Sequence, residues 1–226
     1  MQYFIDSANA AVIAALCRDF PVAGVTTNPT IIAREKGDFR TVLLAVREAV
    51  GDRLLHAQVT AETAEGMCAD ARDLRALVGE PFAVKIPVTR EGLRAIPMLK
   101  AEGFTVTATA VFSPTQAMLA AEAGADYAAP YINRFDTVCG DGIRLVNDIA
   151  LLYAQNGYAT KILAASFKNA MQIAEVMAAG AQSVTLAPDL FDGMLSHPMT
   201  DLAMDAFRRD WAGVYGDASV QDLLRE

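Results

Sequence analysis

The feature that most limits how this chain can fold is an eightfold alternation of short apolar runs with stretches of helical periodicity. The runs fall at about 2–6, 23–26, 54–59, 82–87, 104–110, 125–129, 161–165 and 183–187, and their length and branched residues predict strands. Between them apolar residues recur at helical spacing, as Val12, Ile13, Leu16 and Cys17 do after the first run. Gly51, Gly79, Gly103, Gly124, Gly157 and Gly180 punctuate the joins. Helix starts are expected at Thr60 with Glu62, at Thr89 with Gly92, at Ser113-Pro114 and at Pro188. Strict alternation implies parallel strands joined by right-handed crossovers. Eight such units predict an α/β fold, a compact (β/α)8 TIM barrel. An open doubly wound sheet is the alternative. It would usually carry a glycine-rich loop after its first strand, and Asp6-Ser7-Ala8-Asn9-Ala10 is not one.

No linker-like or low-complexity segment interrupts the pattern, so one domain over 1–226 is expected. Within it, 197–226 reads as a C-terminal helical extension, with an amphipathic helix over 197–213 carrying Leu202, Phe207 and Trp211. That extension is expected to cover the barrel or a neighbouring subunit. The chain has 226 residues, 53% hydrophobic and 20% charged, enough for one large core and unlike a disordered chain. Nineteen Lys+Arg against 27 Asp+Glu leave a net charge of −8, which argues against nucleic acid or an anionic membrane as partner. An anionic substrate would need a local cationic pocket. No apolar run approaches the roughly 18 residues of a membrane span. The start, Met1-Gln2-Tyr3-Phe4-Ile5-Asp6, lacks the basic region of a secretory signal. Cys17, Cys68 and Cys139 are odd in number and widely spaced, as expected of reduced thiols in a cytoplasmic protein.

One strand carries a charge in its middle: Phe82-Ala83-Val84-Lys85-Ile86-Pro87. Alternation puts Ala83 and Lys85 on one face, Val84 and Ile86 on the other. Apolar flanks disfavour the ammonium and pull its pKa from about 10.4 towards neutrality. A neutral amine attacks carbonyls and forms a Schiff base. The plainer reading leaves the ammonium in solvent or paired with a carboxylate. In a parallel barrel, chemistry sits at the C-terminal mouth. The strand ends there read Asp6, Thr26 with Asn28, Gln58, Lys85, Thr109, Tyr131 with Arg134, and Ser166. Hydrogen-bonding residues at seven successive strand ends favour the amine chemistry.

The two histidines, His56 and His197, lack partners at metal spacing, so no metal is expected; His56 reads as packed in its strand and His197 as a helix cap. A lysine imine supplies an electron sink without a metal or any other cofactor. Ser166 has no neighbouring histidine in sequence, and Gly140-Asp141-Gly142 is a loop, not a nucleotide fingerprint.

Four stretches, Gly24-Val25-Thr26-Thr27-Asn28-Pro29-Thr30, Val84-Lys85-Ile86-Pro87-Val88-Thr89, Ala129-Pro130-Tyr131-Ile132-Asn133-Arg134 and Ala164-Ala165-Ser166-Phe167-Lys168, resemble the transaldolase family. The resemblance runs from Met1 to about Gly216 and is nearest the small branch that contains fructose-6-phosphate aldolase. It implies a class I aldolase with Lys85 as the Schiff-base lysine. The implied catalytic set is Lys85, Tyr131, Gln58, Thr109 and Asp6, and the substrate-binding set is Asn28, Thr26, Arg134 and Ser166. It also implies a sugar or sugar-phosphate substrate and a homo-oligomer, a decamer of two pentameric rings with the last helix reaching a neighbour. Small transaldolases usually carry Glu and Phe where this sequence has Gln58 and Tyr131, which favours the aldolase branch over a transaldolase. Glutamine can hold a water but cannot be its base, whereas a phenol can pass protons. Tyr131 as mere aromatic packing, and Arg134 as a surface ion pair with Asp136, are the plainer readings. Phe112 stands where that aldolase carries tyrosine, which bears on substrate preference.

Overall fold

The computed structural model describes residues 1–138 and 140–225; Cys139, read above as a thiol, lies outside them. In chain order the first half comprises β1 (Gln2–Asp6), α1 (Ala10–Asp19), β2 (Gly24–Thr26), α2 (Pro29–Arg34), α3 (Phe39–Val50), β3 (Leu54–Gln58), α4 (Ala64–Val78), β4 (Phe82–Pro87) and α5 (Arg90–Ala101). There follow β5 (Thr105–Val111), α6 (Pro114–Glu122), β6 (Tyr127–Pro130), α7 (Ile132–Asp136), α8 (Gly142–Asn156), β7 (Lys161–Ala164), α9 (Ala170–Ala178) and β8 (Ser183–Leu186). The chain continues as α10 (Asp189–Leu195), α11 (Pro198–Tyr215) and α12 (Val220–Leu224). Every strand pair is parallel, and β1 joins β8, so the sheet closes in the order of the sequence. The protein is a (β/α)8 barrel followed by a further helix.

Closure buries both faces of each strand, which is why the strands read as nearly continuous apolar runs. Phe4, His56 and Tyr127 come from β1, β3 and β6, strands that are not neighbours, and can meet only through the barrel interior. Their rings pack edge to face, Phe4 on His56 at 4.9 Å between centroids and His56 on Tyr127 at 5.4 Å. On the outer face Val84 and Ile86 are wholly buried, together with Leu43 and Val46 of α3 and Ile96 and Leu99 of α5. Gly24 in β2 permits the close approach of β3: an added Cβ would collide with the Leu54 carbonyl oxygen.

The register sets the height of each polar side chain. Asp6 lies beside Thr26, and Gln58 beside Lys85, while Thr109 pairs with Pro87, two residues beyond Lys85. Between Ala108 and Val111 the β5–β6 register shifts, and Ala110 takes φ 58°, a left-handed backbone on a residue with a Cβ.

Some expectations are corrected. Thr60 and Glu62 do not start α4; the cap is Thr63, whose hydroxyl accepts the Gly66 N–H at 3.2 Å, while the Glu91 carboxylate accepts that of Ala64 at 3.0 Å. Thr60 instead donates its N–H to Asp70. The sixth strand begins at Tyr127, not Ala125, and α7 and α12 have no counterpart in the sequence reading. Both are one-turn helices, too short to show a periodicity.

The chain divides into two compact units, Met1–Phe191 and Asp192–Glu226. In the second, His197 caps α11 by accepting the Met199 N–H on Nδ1, as the sequence suggested. Ser219 and Asp222 form a reciprocal capping box on α12, and the Trp211 indole donates to the Ala218 carbonyl at 2.8 Å. No residue of α11 is buried. Among the described residues no helix is long and apolar enough to cross a membrane.

Candidate active site

Lys85 is 4% exposed, between Val84 and Ile86, which are 0% exposed. It crosses the barrel interior, and its Nζ donates to the main-chain carbonyl of Thr27 at 2.9 Å. None of the ion pairs among the described residues includes it. The reading in which this amine reaches solvent or pairs with a carboxylate is therefore overturned.

The lysine opens on a cavity of about 400 Å³ at the C-terminal ends of the strands, lined also by Asp6, Asn28, Gln58, Tyr131, Arg134 and Ser166. Seven residues read from the sequence thus share one cavity. The other two, Thr26 and Thr109, stand behind its wall. The Thr26 hydroxyl donates to Asp6 Oδ1 at 2.7 Å and lies 2.6 Å from that of Thr185. A hydroxyl has one proton to give, so Thr185 donates to Thr26, and a relay of two threonines fixes the Asp6 carboxylate. Thr109 Oγ1 lies 3.0 Å from the Tyr131 hydroxyl, tying strand five to the phenol across the cavity edge.

Several of these side chains are placed by local structure. Asn28 is the N-cap of α2, its Oδ1 accepting the Ile31 N–H at 3.0 Å, which leaves the amide NH2 free to donate into the cavity. Tyr131 precedes α7 and lies edge-on to Phe112 at 5.4 Å, with the Arg134 guanidinium 5.0 Å above its ring. Arg134 does not pair with Asp136, whose oxygens take the Gly142 N–H and the Gln172 amide instead. Ser166 has φ 64°, and its carbonyl accepts the Asn133 N–H at 2.7 Å. Two left-handed non-glycine residues, Ala110 and Ser166, thus line the same cavity, a concentration of backbone strain typical of functional sites.

Beneath the lysine, His56 is fully buried; its Nδ1 lies 2.9 Å from Thr107 Oγ1 and its Nε2 has no partner among the described residues. Burial, and secondarily the nearby charge of Lys85, push it down to about 3, so at neutral pH the imidazole is uncharged.

Arg34, at the end of α2, also lines the cavity, as do Thr185 and Ala110. Sequence reasoning missed all three. Thr185 was legible, since it stands one residue before the end of β8, in the inward phase that Lys85 keeps in β4. Arg34 was not, because its placement depends on how a six-residue helix folds back over the mouth. Among the described residues, no three His, Cys, Asp or Glu side chains gather as a metal ion requires.

A family model described as transaldolase/fructose-6-phosphate aldolase matches residues 3–226. The chain belongs to the transaldolase family. It is accordingly an enzyme of the aldolase/transaldolase type, which works through a Schiff base. The buried lysine of β4 and the hydroxyls and amides around it are a suitable setting for that chemistry.

Proposed function

We propose that this transaldolase-family member is a class I aldolase of the fructose-6-phosphate aldolase kind, cleaving or forming fructose 6-phosphate from dihydroxyacetone and glyceraldehyde 3-phosphate. What carries the reading is the pairing of a buried Lys85, in no ion pair among the described residues, with an un-ionisable Gln58 and a phenolic Tyr131 at one cavity. Lys85 adds through its neutral amine to the ketone carbon. The carbinolamine loses water, and the iminium forms. A base takes the proton of the hydroxyl next but one to the imine carbon; the carbon–carbon bond breaks, its electrons go to the iminium, and an aldehyde leaves. Protonation of the enamine carbon and hydrolysis then return the amine and release dihydroxyacetone.

In this scheme Tyr131, supported by Thr109 at 3.0 Å, moves the protons through a water held by Gln58. Asp6, fixed by Thr26 and Thr185, holds the carbinolamine hydroxyl, and the free amide hydrogens of Asn28 orient a donor hydroxyl. Arg134 and Ser166 receive the phosphate of the aldehyde, a guanidinium matching phosphate oxygens with paired charge-assisted bonds. Arg134→Ala should raise KM for phosphorylated aldehydes more than for unphosphorylated ones; an equal rise would remove the phosphate role.

The decisive experiment supplies fructose 6-phosphate without an acceptor. Continuous release of glyceraldehyde 3-phosphate is the aldolase result, whereas a transaldolase stalls after its first turnover. Borohydride with dihydroxyacetone should mark Lys85 covalently, with Lys85→Met as the blank. We also propose that the protein works in the cytoplasm as a homo-oligomer, ten subunits by family resemblance. Met199, Leu202, Phe207 and Val214 on α11 are at least three-fifths exposed and would be the contact surface.

A further inference from the structure

The hydrogen-bond partner of the resting amine is a main-chain carbonyl, and that choice has chemical content. A carboxylate would favour the charged ammonium and hold it. A neutral carbonyl accepts from any nitrogen that carries a hydrogen, charged or not. The Thr27 carbonyl is also held unusually firmly. On one side of its peptide group, the Thr27 N–H and hydroxyl both donate to the His56 carbonyl, at 2.8 and 3.1 Å. On the other, Asn28 is fastened to α2 by its capping bond of 3.0 Å to the Ile31 N–H. Thr27 is wholly buried, so no solvent competes for this dipole.

We infer that the Thr27 carbonyl is the fixed acceptor for the lysine nitrogen through the whole catalytic cycle, receiving the N–H of the iminium after receiving that of the amine. This rests on the Schiff-base reading above. The hydrogen count permits it. The ammonium carries three hydrogens, the amine two, and the carbinolamine, iminium and enamine one each. Every nitrogen species therefore keeps one hydrogen to donate, and no step requires the lysine to find a new partner. The carbonyl dipole points its negative end at the nitrogen where positive charge develops on loss of water. It costs nothing to reorient, because His56 and the α2 cap already hold it. The same bond directs the remaining valence of Nζ away from Thr27, towards the cavity where the ketone sits. Thr27 also acts as a positioning residue: its hydroxyl clamps the peptide group to strand three.

The primary test is the crystal structure of the wild-type enzyme after borohydride trapping of dihydroxyacetone. The secondary amine of the adduct should lie within hydrogen-bond distance of the Thr27 oxygen; a nitrogen turned elsewhere overturns the inference while leaving the imine intact. If no adduct forms on Lys85, the Schiff-base reading fails first and takes this one with it. In solution, Thr27→Val removes the clamp with little change of volume. It should slow trapping on the order of tenfold and displace the pH profile of trapping, with Thr27→Ser restoring both. Wild-type trapping rate and pH profile in Thr27→Val would remove the positioning role. So would a slowing that simply follows a loss of melting temperature. If Thr27→Val does not fold, the adduct structure alone decides.

Discussion

His56 occupies a position in the barrel interior where an apolar side chain would pack with less penalty. Its neutral ring is satisfied on one nitrogen by Thr107, and it is held to about 3 against an ordinary value near 6.5. Between those values the unfolded chain binds a proton that the folded one refuses. Stability that is complete above about pH 6.5 is therefore lost progressively as the pH falls towards 3. At pH 4.5 this amounts to roughly 2–3 kcal/mol. Denaturant unfolding at pH 7 and pH 4.5 should show that His56→Phe shrinks the difference between the two by about that amount. An undiminished acid limb would mean that other groups carry it. The phenol offers a second test: Tyr131→Phe should lose at least 10²-fold in aldol cleavage, as removal of an acid–base group does, while borohydride trapping of dihydroxyacetone proceeds nearly as before. Equal loss of both would make Tyr131 structural. At this scale the sequence was readable wherever a side chain pointed inward by strand alternation, as with Asp6, Gln58 and Lys85. Thr27 could not be read, because its contribution is a carbonyl oxygen, and every residue has one.

At the scale of elements, the strands and the long helices follow from periodicity, and their ends move by a residue or two. The misses are the one-turn helices α7 and α12. α2 and α7 hold six and five residues, yet each carries an arginine to the cavity. Asn28 shows how closely such a piece is coupled to the site, since one residue both caps α2 and lines the cavity of the lysine. Asn28→Ala should cost about 1 kcal/mol of stability through the lost cap. Asn28→Ser should keep most of that stability but not the amide donor, and so raise KM for the donor ketone nearly as much as the alanine does. Thermal melts beside steady-state kinetics separate the two losses; full kinetic recovery in the serine variant would confine Asn28 to capping. The misplaced cap of α4 has a similar origin. Thr60 and Thr63 are equally able caps in sequence, and Asp70 claims the first.

For the whole molecule, the net charge of −8 opposes an anionic substrate, and the cavity answers with two arginines at its rim. The Debye length is near 8 Å at physiological salt, so contacts to these two survive where long-range repulsion is screened. The second compact unit poses a different question, because α11 leaves Phe207 64% exposed and Val214 73% exposed. Phe207→Glu should lower the mass measured by light scattering if that surface joins subunits; an unchanged mass would place the contacts elsewhere. The barrel order was legible from strand–helix alternation, whereas the partner of an amphipathic helix cannot be read from one chain.

Asp136 spends its carboxylate on Gly142 and Gln172 and leaves Arg134 unclaimed. The two cations at the rim hang from brief excursions after strands two and six, and neither joins an ion pair among the described residues. A lineage could exchange charged acceptors for neutral ones by replacing Arg34 and Arg134 alone, provided that Asn28 and Tyr131, which head the same excursions, stay in place.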